Sequence, residues 1–209
     1  MINVYGYPNT RSTRVTWTLE EVHADYKFIP INPRSEEIKM SEFLRINPFG
    51  KIPVLADGTL ILTESVAICL YVAEKFPNYS LIPGNSVPES RSHFFQWLFF
   101  LISELEMHLW TATKHTNLLP QEKRVPSIVQ SCHSDFMRAC NILLTRLCDH
   151  EYLACEHFTI ADIICVSILH WANHIGIEID ESLLEYMERL SKRPALTKAR
   201  RIEMDSIKS

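Results

Sequence analysis

The dipeptide Asp57-Gly58 constrains the fold of this chain more than any other feature. It separates two short apolar runs, Pro53–Ala56 and Leu60–Leu62, and Asp-Gly in that setting is a strong local signal for an antiparallel hairpin. The runs before it are connected differently. Ile2–Tyr5 reads as a short buried strand and Thr13–Ala24 as a helix with Val15, Leu19 and Val22 at helical spacing. Tyr26–Ile31 reads as a second strand, and Arg34–Leu44 as a weaker, partly irregular helix. Helix Ser65–Phe76 follows the hairpin and stops at Pro77. Strands joined through helices pair in parallel, whereas a hairpin pairs antiparallel. The order β-α-β-α-β-β-α therefore implies a mixed four-stranded sheet with helices on its faces.

Past residue 78 the pattern changes. Residues 79–89, with Pro83-Gly84-Asn85-Ser86 and Pro88, read as a linker. Everything beyond is helical by pattern: about Ser90–Thr113, Pro126–Leu147, a helix opening at Thr159, about Asp180–Ser191, and a short one after Pro194. Thr159-x-x-Asp162 has the spacing of a capping box, with Phe158 and Ile163 as its hydrophobic staple. The expected organisation is an α/β domain over residues 1–78, then an all-α domain over 90–209.

Composition excludes several functions. Residues 1–80 hold 8 Lys and Arg against 9 Asp and Glu, and residues 81–209 hold 13 against 16. Neither part offers a nucleic acid the basic footprint it needs. The apolar stretches Phe94–Ile102 and Ile160–Ala172 fall short of the roughly 20 residues that cross a bilayer. No basic-then-apolar leader opens the chain, so a cytoplasmic location is expected. None of the six cysteines forms a Cys-x-x-Cys pair, and they read as ordinary reduced core residues. The first 68 residues contain no cysteine at all. His170 and His174 are four apart, as zinc ligands on a helix are, but no third ligand accompanies them, and no metal is expected.

Two clusters can carry chemistry. In Asn47-Pro48-Phe49-Gly50-Lys51-Ile52-Pro53-Val54-Leu55, Pro53 has no N–H to donate and belongs at a strand's first residue or edge. A cis Ile52–Pro53 bond turns the Ile52 amide and carbonyl outward, where an extended peptide can add like another strand. The plainer reading is a loop leading into a strand. In Thr63-Glu64-Ser65, Ser65 is placed to cap the following helix and Glu64 lies beside its positive end. The same N–H groups and hydroxyl can hold a carboxylate, while Glu64 pairs with a neighbouring ammonium group. Carboxylate and ammonium on one carbon describe an amino acid or a γ-glutamyl head.

Taken together, Asn-Pro-x-Gly-Lys-Ile-Pro-Val-Leu, a hairpin, and Glu-Ser opening a helix resemble the N-terminal domain of the cytosolic glutathione transferase superfamily. Val4-Tyr5 followed by Pro8 and Arg14-Val15 is similar to that family's first strand, loop and helix. Phe158-Thr159-Ile160-Ala161-Asp162 is similar to a helix start in its second domain. The resemblance covers nearly the whole chain and is densest over residues 1–76. It implies a thioredoxin-like first domain that binds glutathione as co-substrate, without a metal, and a helical domain that holds a small electrophile. It also implies a homodimer.

By resemblance, Ile52, ahead of Pro53, pairs through its backbone with the cysteinyl part of glutathione. Glu64 and Ser65 hold the γ-glutamyl head, and Lys39 contacts the glycyl carboxylate, with Lys51 beside it. Family members of the theta, zeta and bacterial types place a serine or cysteine at the start of the first helix, against the glutathione sulfur. That position falls on Thr10; Ser12 is a second candidate that can equally cap the helix, and Tyr7 and Tyr5 are further hydroxyls. A hydroxyl hydrogen bond and a helix N-terminus both favour the thiolate, which is the nucleophile. Arg11 adds positive charge beside this loop. In the helical domain, Phe94, Phe95, Trp97, Phe99 and Phe100 read as core or dimer contact, and with Met107, Trp110 and His115 some can wall an apolar pocket. The resemblance leaves three readings: a transferase, a glutathione-dependent peroxidase or disulfide reductase, and a non-catalytic binding or regulatory member. The maleylacetoacetate-isomerase branch fits less well, because its Ser-Ser-Cys run is missing at Asn9-Thr10-Arg11.

Overall fold

A computed structural model describes residues 1–84 and 86–208. Four strands, β1 (Ile2–Gly6), β2 (Tyr26–Pro30), β3 (Val54–Asp57) and β4 (Leu60–Thr63), form one sheet in the order β2-β1-β3-β4. β1 and β2 are parallel, and the β1–β3 and β3–β4 pairs are antiparallel. The hairpin closes where Asp57 pairs with Leu60. Gly58 then takes φ +61°, a conformation open to glycine because it has no Cβ.

Helix α1 (Ser12–Glu21) connects β1 to β2 and buries Val15, Trp17 and Leu19. Between β2 and β3 the expected single helix is two pieces, a 3-10 turn at Glu36–Lys39 and α2 (Ser41–Ile46), separated by an extended Met40 at φ −67°, ψ 145°. Ile38 and Phe43 explain the break. Five positions apart, they would point about 140° away from each other on a continuous helix. With the break, both join Ile31 and Val54 in one buried cluster, against which Tyr5, Ile29, Ile46 and Ile52 pack. Helix α3 (Ser65–Lys75) follows β4 and buries Ile68, Cys69, Val72 and Ala73.

The described chain packs as two units. One comprises Met1–Ile82 together with the residues from Ser191 onward; the other is Pro83–Leu190. The last helix differs from expectation on two counts. It is long, α9 (Pro194–Ser206), and it packs on α1 within the first unit instead of belonging to the helical one. Three polar links specify that docking. Glu203 accepts from the Thr13 and Thr16 hydroxyls at 2.9 and 2.6 Å. Arg193 grips Glu21 through two bonds of 2.6 and 2.7 Å, and Lys198 meets Glu20 at 2.6 Å. A helical pattern in sequence marks a helix but not the surface that covers it.

The second unit contains α4 (Pro88–Phe100), α5 (Met107–Thr113), α6 (Pro126–Leu147), α7 (Ile160–His174) and α8 (Glu181–Ser191). The helix expected over Ser90–Thr113 is interrupted by a π-helical stretch at Leu101–Glu106, and a second such stretch, Lys114–Leu118, follows α5. Of the aromatic run on α4, Phe94 is buried, Phe95, Trp97 and Phe100 are half-buried, and Phe99 is 71% exposed. Helix α7 is buried on nearly every side, which accounts for the apolar run Ile160–Ala172. Its start is the expected capping box: Thr159 Oγ1 accepts from the Ala161 amide, and Asp162 accepts from the Thr159 amide at 2.8 Å. Asp162 also accepts from the Leu153 amide at 2.8 Å and the Tyr186 hydroxyl at 2.7 Å. Phe158 and Ile163 are both buried. No described helix is long and apolar enough to cross a membrane. Of the linker residues named from sequence, Asn85 lies outside the described residues.

Candidate functional site

Strand register gathers the candidate residues of the first unit. Tyr5 pairs with Val54, and Val54 pairs with Thr63, so three strands share one row at one end of the sheet. Just past that row lie three segments: Gly6–Thr10 leaving β1, Ile52-Pro53 entering β3, and Glu64-Ser65 leaving β4. The Ile52–Pro53 bond is cis. Asn47 braces the approach to it. Buried to 2% exposure, it donates from Nδ2 to the Lys51 carbonyl at 2.7 Å and accepts the Phe49 amide at 3.1 Å.

The β1–α1 turn brings the Thr10 and Ser12 hydroxyls together around the Tyr7 backbone. Thr10 Oγ1 lies 2.7 Å from the Tyr7 carbonyl and 2.9 Å from Ser12 Oγ, and it accepts the Ser12 amide at 3.2 Å. Ser12 Oγ accepts the Tyr7 amide at 3.2 Å. Ser12 is fully buried against Gly6, where an added Cβ would stand 2.6 Å from the Ser12 Cβ. Contrary to the sequence expectation, Arg11 occupies the N-cap and Ser12 is the first helical residue, its hydroxyl turned back to the turn. Thr10 and Tyr7 are half-buried. Tyr5 packs edge-on against Phe43, ring centroids 6.3 Å apart, as a partly buried core residue.

At the start of α3 the cap again differs by one residue. Glu64 is the N-cap and Ser65 the first helical residue. Glu64 is exposed and takes φ 67°, ψ 111°, outside the regions that L-residues favour. Such conformations persist where the surroundings impose them, and they concentrate at ligand clamps. Ser65 is buried, and its Oγ accepts from the buried Arg14 guanidinium at 3.3 Å. That bond ties α3 to α1 and leaves the Ser65 proton to point elsewhere. Arg14 was legible in sequence as part of a motif; its contact with Ser65, 51 residues away, was not. The first N–H groups of α3 have no intrahelical partner, and such groups suit an anion.

Lys39 stands apart from these groups in its bonding. It is exposed and paired with Glu36 at 2.9 Å. Lys51 is exposed. Cys69, the one cysteine of the first unit, is fully buried, and burial pushes its thiol up to about 11. Among the described residues no group of three His, Cys, Asp or Glu is placed to hold a metal; His170 is half-buried and His174 exposed.

Known proteins share this architecture. Residues 1–74 match the family description "Glutathione S-transferase, N-terminal domain", and residues 107–198 match "Glutathione S-transferase, C-terminal domain". The chain belongs to the glutathione S-transferase family. Among relatives of this transferase, the disulfide-bond oxidoreductase YfcG of Escherichia coli K12 is 30% identical over 95% of the chain and 94% of its own length. Glutathione S-transferase 1 of Zea mays is 33% identical over 75% of the chain and 73% of its own length. The glutathione transferase URE2P6 of Phanerochaete chrysosporium, solved with oxidized glutathione, is 25% identical and superposes with a TM-score of 0.84, covering 98% of this chain and 97% of that one. The transferase therefore has the fold expected of it, a thioredoxin-like sheet domain followed by helices, and it is an enzyme of glutathione chemistry.

Proposed function

We propose that this transferase binds glutathione at the shared strand end of its first unit and holds the sulfur as a thiolate for attack on a small electrophile. The observation that carries the reading is the row Tyr5, Val54, Thr63, because it delivers three chemically complementary segments to one end of one sheet. The Ile52 backbone pairs with the cysteinyl residue. The α3 N-terminus and Ser65 hold the γ-glutamyl carboxylate, and Glu64 its ammonium. Lys39, exposed and paired with Glu36, and the exposed Lys51 meet the glycyl carboxylate.

Thr10 is the hydroxyl assigned to the sulfur. Ser12 is fully buried and already holds the Tyr7 amide, whereas Thr10 is half-buried at the same turn. A hydroxyl hydrogen bond and the positive end of α1 both favour S⁻ over SH. Lowering the thiol pKa by ~2 units requires ~2.7 kcal/mol of differential stabilisation, within reach of two such contacts. The thiolate then forms a C–S bond to the electrophile, which loses its leaving group with the bonding electrons. In this reading, residues 1–78 form the glutathione domain and residues 90–209 supply the second substrate's walls, with α9 serving the first domain by packing. The enzyme works in the cytoplasm as a homodimer, and the exposed Phe99 on α4 supports a contact there.

A second reading, glutathione-dependent disulfide reduction or peroxide reduction, has one observation in its favour: the YfcG relative carries the name disulfide-bond oxidoreductase. It uses the same thiolate. The test of the hydroxyl is the pH dependence of kcat/KM with a generic aryl halide, in wild type, Thr10→Ala and Tyr7→Phe. Thr10→Ala is expected to move the acidic limb to higher pH and lower the neutral rate about tenfold per unit of thiol pKa gained. A profile unmoved by Thr10→Ala but shifted by Tyr7→Phe contradicts the choice of residue.

A further inference from the structure

The turn that presents Thr10 holds more hydrogen-bonding capacity than one hydroxyl needs. Thr10 Oγ1 has a single proton and two oxygen neighbours, the Tyr7 carbonyl at 2.7 Å and Ser12 Oγ at 2.9 Å. The carbonyl can only accept, so in the free protein the Thr10 proton goes there. Ser12 Oγ takes the Tyr7 amide proton at 3.2 Å, so one of its acceptor sites is filled. Ser12 Oγ, 2.9 Å from Thr10 Oγ1, can therefore donate its own proton there. One assignment satisfies every donor: Ser12 O–H to Thr10 Oγ1, Thr10 O–H to the Tyr7 carbonyl, and the Tyr7 and Ser12 amides to Ser12 Oγ and Thr10 Oγ1.

We propose that Ser12 is a positioning residue in a two-hydroxyl relay, its O–H donating to Thr10 so that Thr10 can turn its single proton from the Tyr7 carbonyl to the glutathione sulfur. This inference rests on the reading of Thr10 as the sulfur contact. When the thiolate arrives, the Thr10 proton has a charged acceptor to prefer over a neutral carbonyl. As it turns, Thr10 Oγ1 keeps two incoming donors, from Ser12 Oγ and the Ser12 amide. Those donors polarise the Thr10 O–H bond and strengthen what it gives to sulfur. Burial of Ser12 suits this role: water cannot replace it, and Gly6 leaves space for little more than its own side chain. Ser12 never touches the sulfur; it acts through Thr10.

A double-mutant cycle on the bound thiol's pKa tests the relay, read from thiolate absorbance of the glutathione complex across pH in the full chain. Thr10→Ala is expected to raise that pKa, and Ser12→Ala to raise it by a smaller amount. In the Thr10→Ala background, Ser12→Ala is expected to add nothing, because the group it acts through is gone. Melting temperatures of all three variants, measured alongside, report any loss of packing, which would not produce this pattern in a pKa. An unmoved pKa in Ser12→Ala overturns the relay, as does an equal shift from Ser12→Ala in both backgrounds. An unmoved pKa in Thr10→Ala overturns the sulfur assignment itself and removes the relay with it. Should Ser12→Ala not fold, Ser12→Gly and Ser12→Cys supply the same comparison.

Discussion

At the scale of single residues, the proposed site rests on a few side chains whose surroundings differ sharply. Glu64 and Ser65 stand at the α3 N-terminus, one exposed and conformationally strained, the other buried under Arg14. Replacing either with alanine is expected to weaken glutathione binding by about 1.5–3 kcal/mol, the range for hydrogen bonds to charged groups, as measured by calorimetric titration. Unchanged affinity in both contradicts the γ-glutamyl assignment. Glu203 makes a different prediction. It is 1% exposed, and burial raises its carboxyl from an ordinary 4.5 to about 7, offset partly by the Thr16 and Thr13 hydroxyls and by Arg200. The native state therefore holds this proton more tightly than the unfolded chain does. Its contribution to stability is complete below pH 4.5 and is lost as pH rises to about 7. Glu203→Gln should remove on the order of 2–3 kcal/mol of that decline, seen as a flatter stability profile between pH 5 and 7 in denaturant titrations. Parallel profiles for wild type and variant contradict it.

At the scale of elements, the α7 capping box separates structure from function. Thr159→Ala is expected to destabilise the chain by ~1 kcal/mol, the usual cost of a lost N-cap. Asp162→Ala should cost more, about 3 kcal/mol, because it strands the buried Leu153 amide and Tyr186 hydroxyl as well. Neither should change glutathione affinity, since both belong to the second unit; a variant that melts normally but no longer binds contradicts that separation. Most elements were legible in sequence because their signals are local. Asp57-Gly58 forecast the hairpin, Pro126 the start of α6 and Thr159-x-x-Asp162 the start of α7. The misses are tertiary. The break at Met40 follows from two side chains reaching one cluster, and the docking of α9 follows from Glu203 and Arg193 meeting partners about 190 and 172 residues away. The same holds within the site. Residue types at positions 10, 12, 64 and 65 made them candidates, but the residue expected to cap each helix was off by one, because a serine hydroxyl can turn either forward to a helix or back to a turn.

At the scale of the whole molecule, the proposed function assigns glutathione to the sheet unit and the electrophile to the helical unit. It predicts a dimer sedimenting at twice the 24.3 kDa chain mass; a single 24.3 kDa species at micromolar concentration counts against that part. The central claim is that the shared end of the sheet recognises glutathione by its γ-glutamyl head. Calorimetric titration of the intact chain with glutathione, and separately with cysteinylglycine, which lacks that head, tests it most directly. The account predicts one glutathione bound per chain and cysteinylglycine at least tenfold weaker, a loss of about 1.4 kcal/mol or more. Equal affinity for the two peptides, or no binding of glutathione, contradicts it.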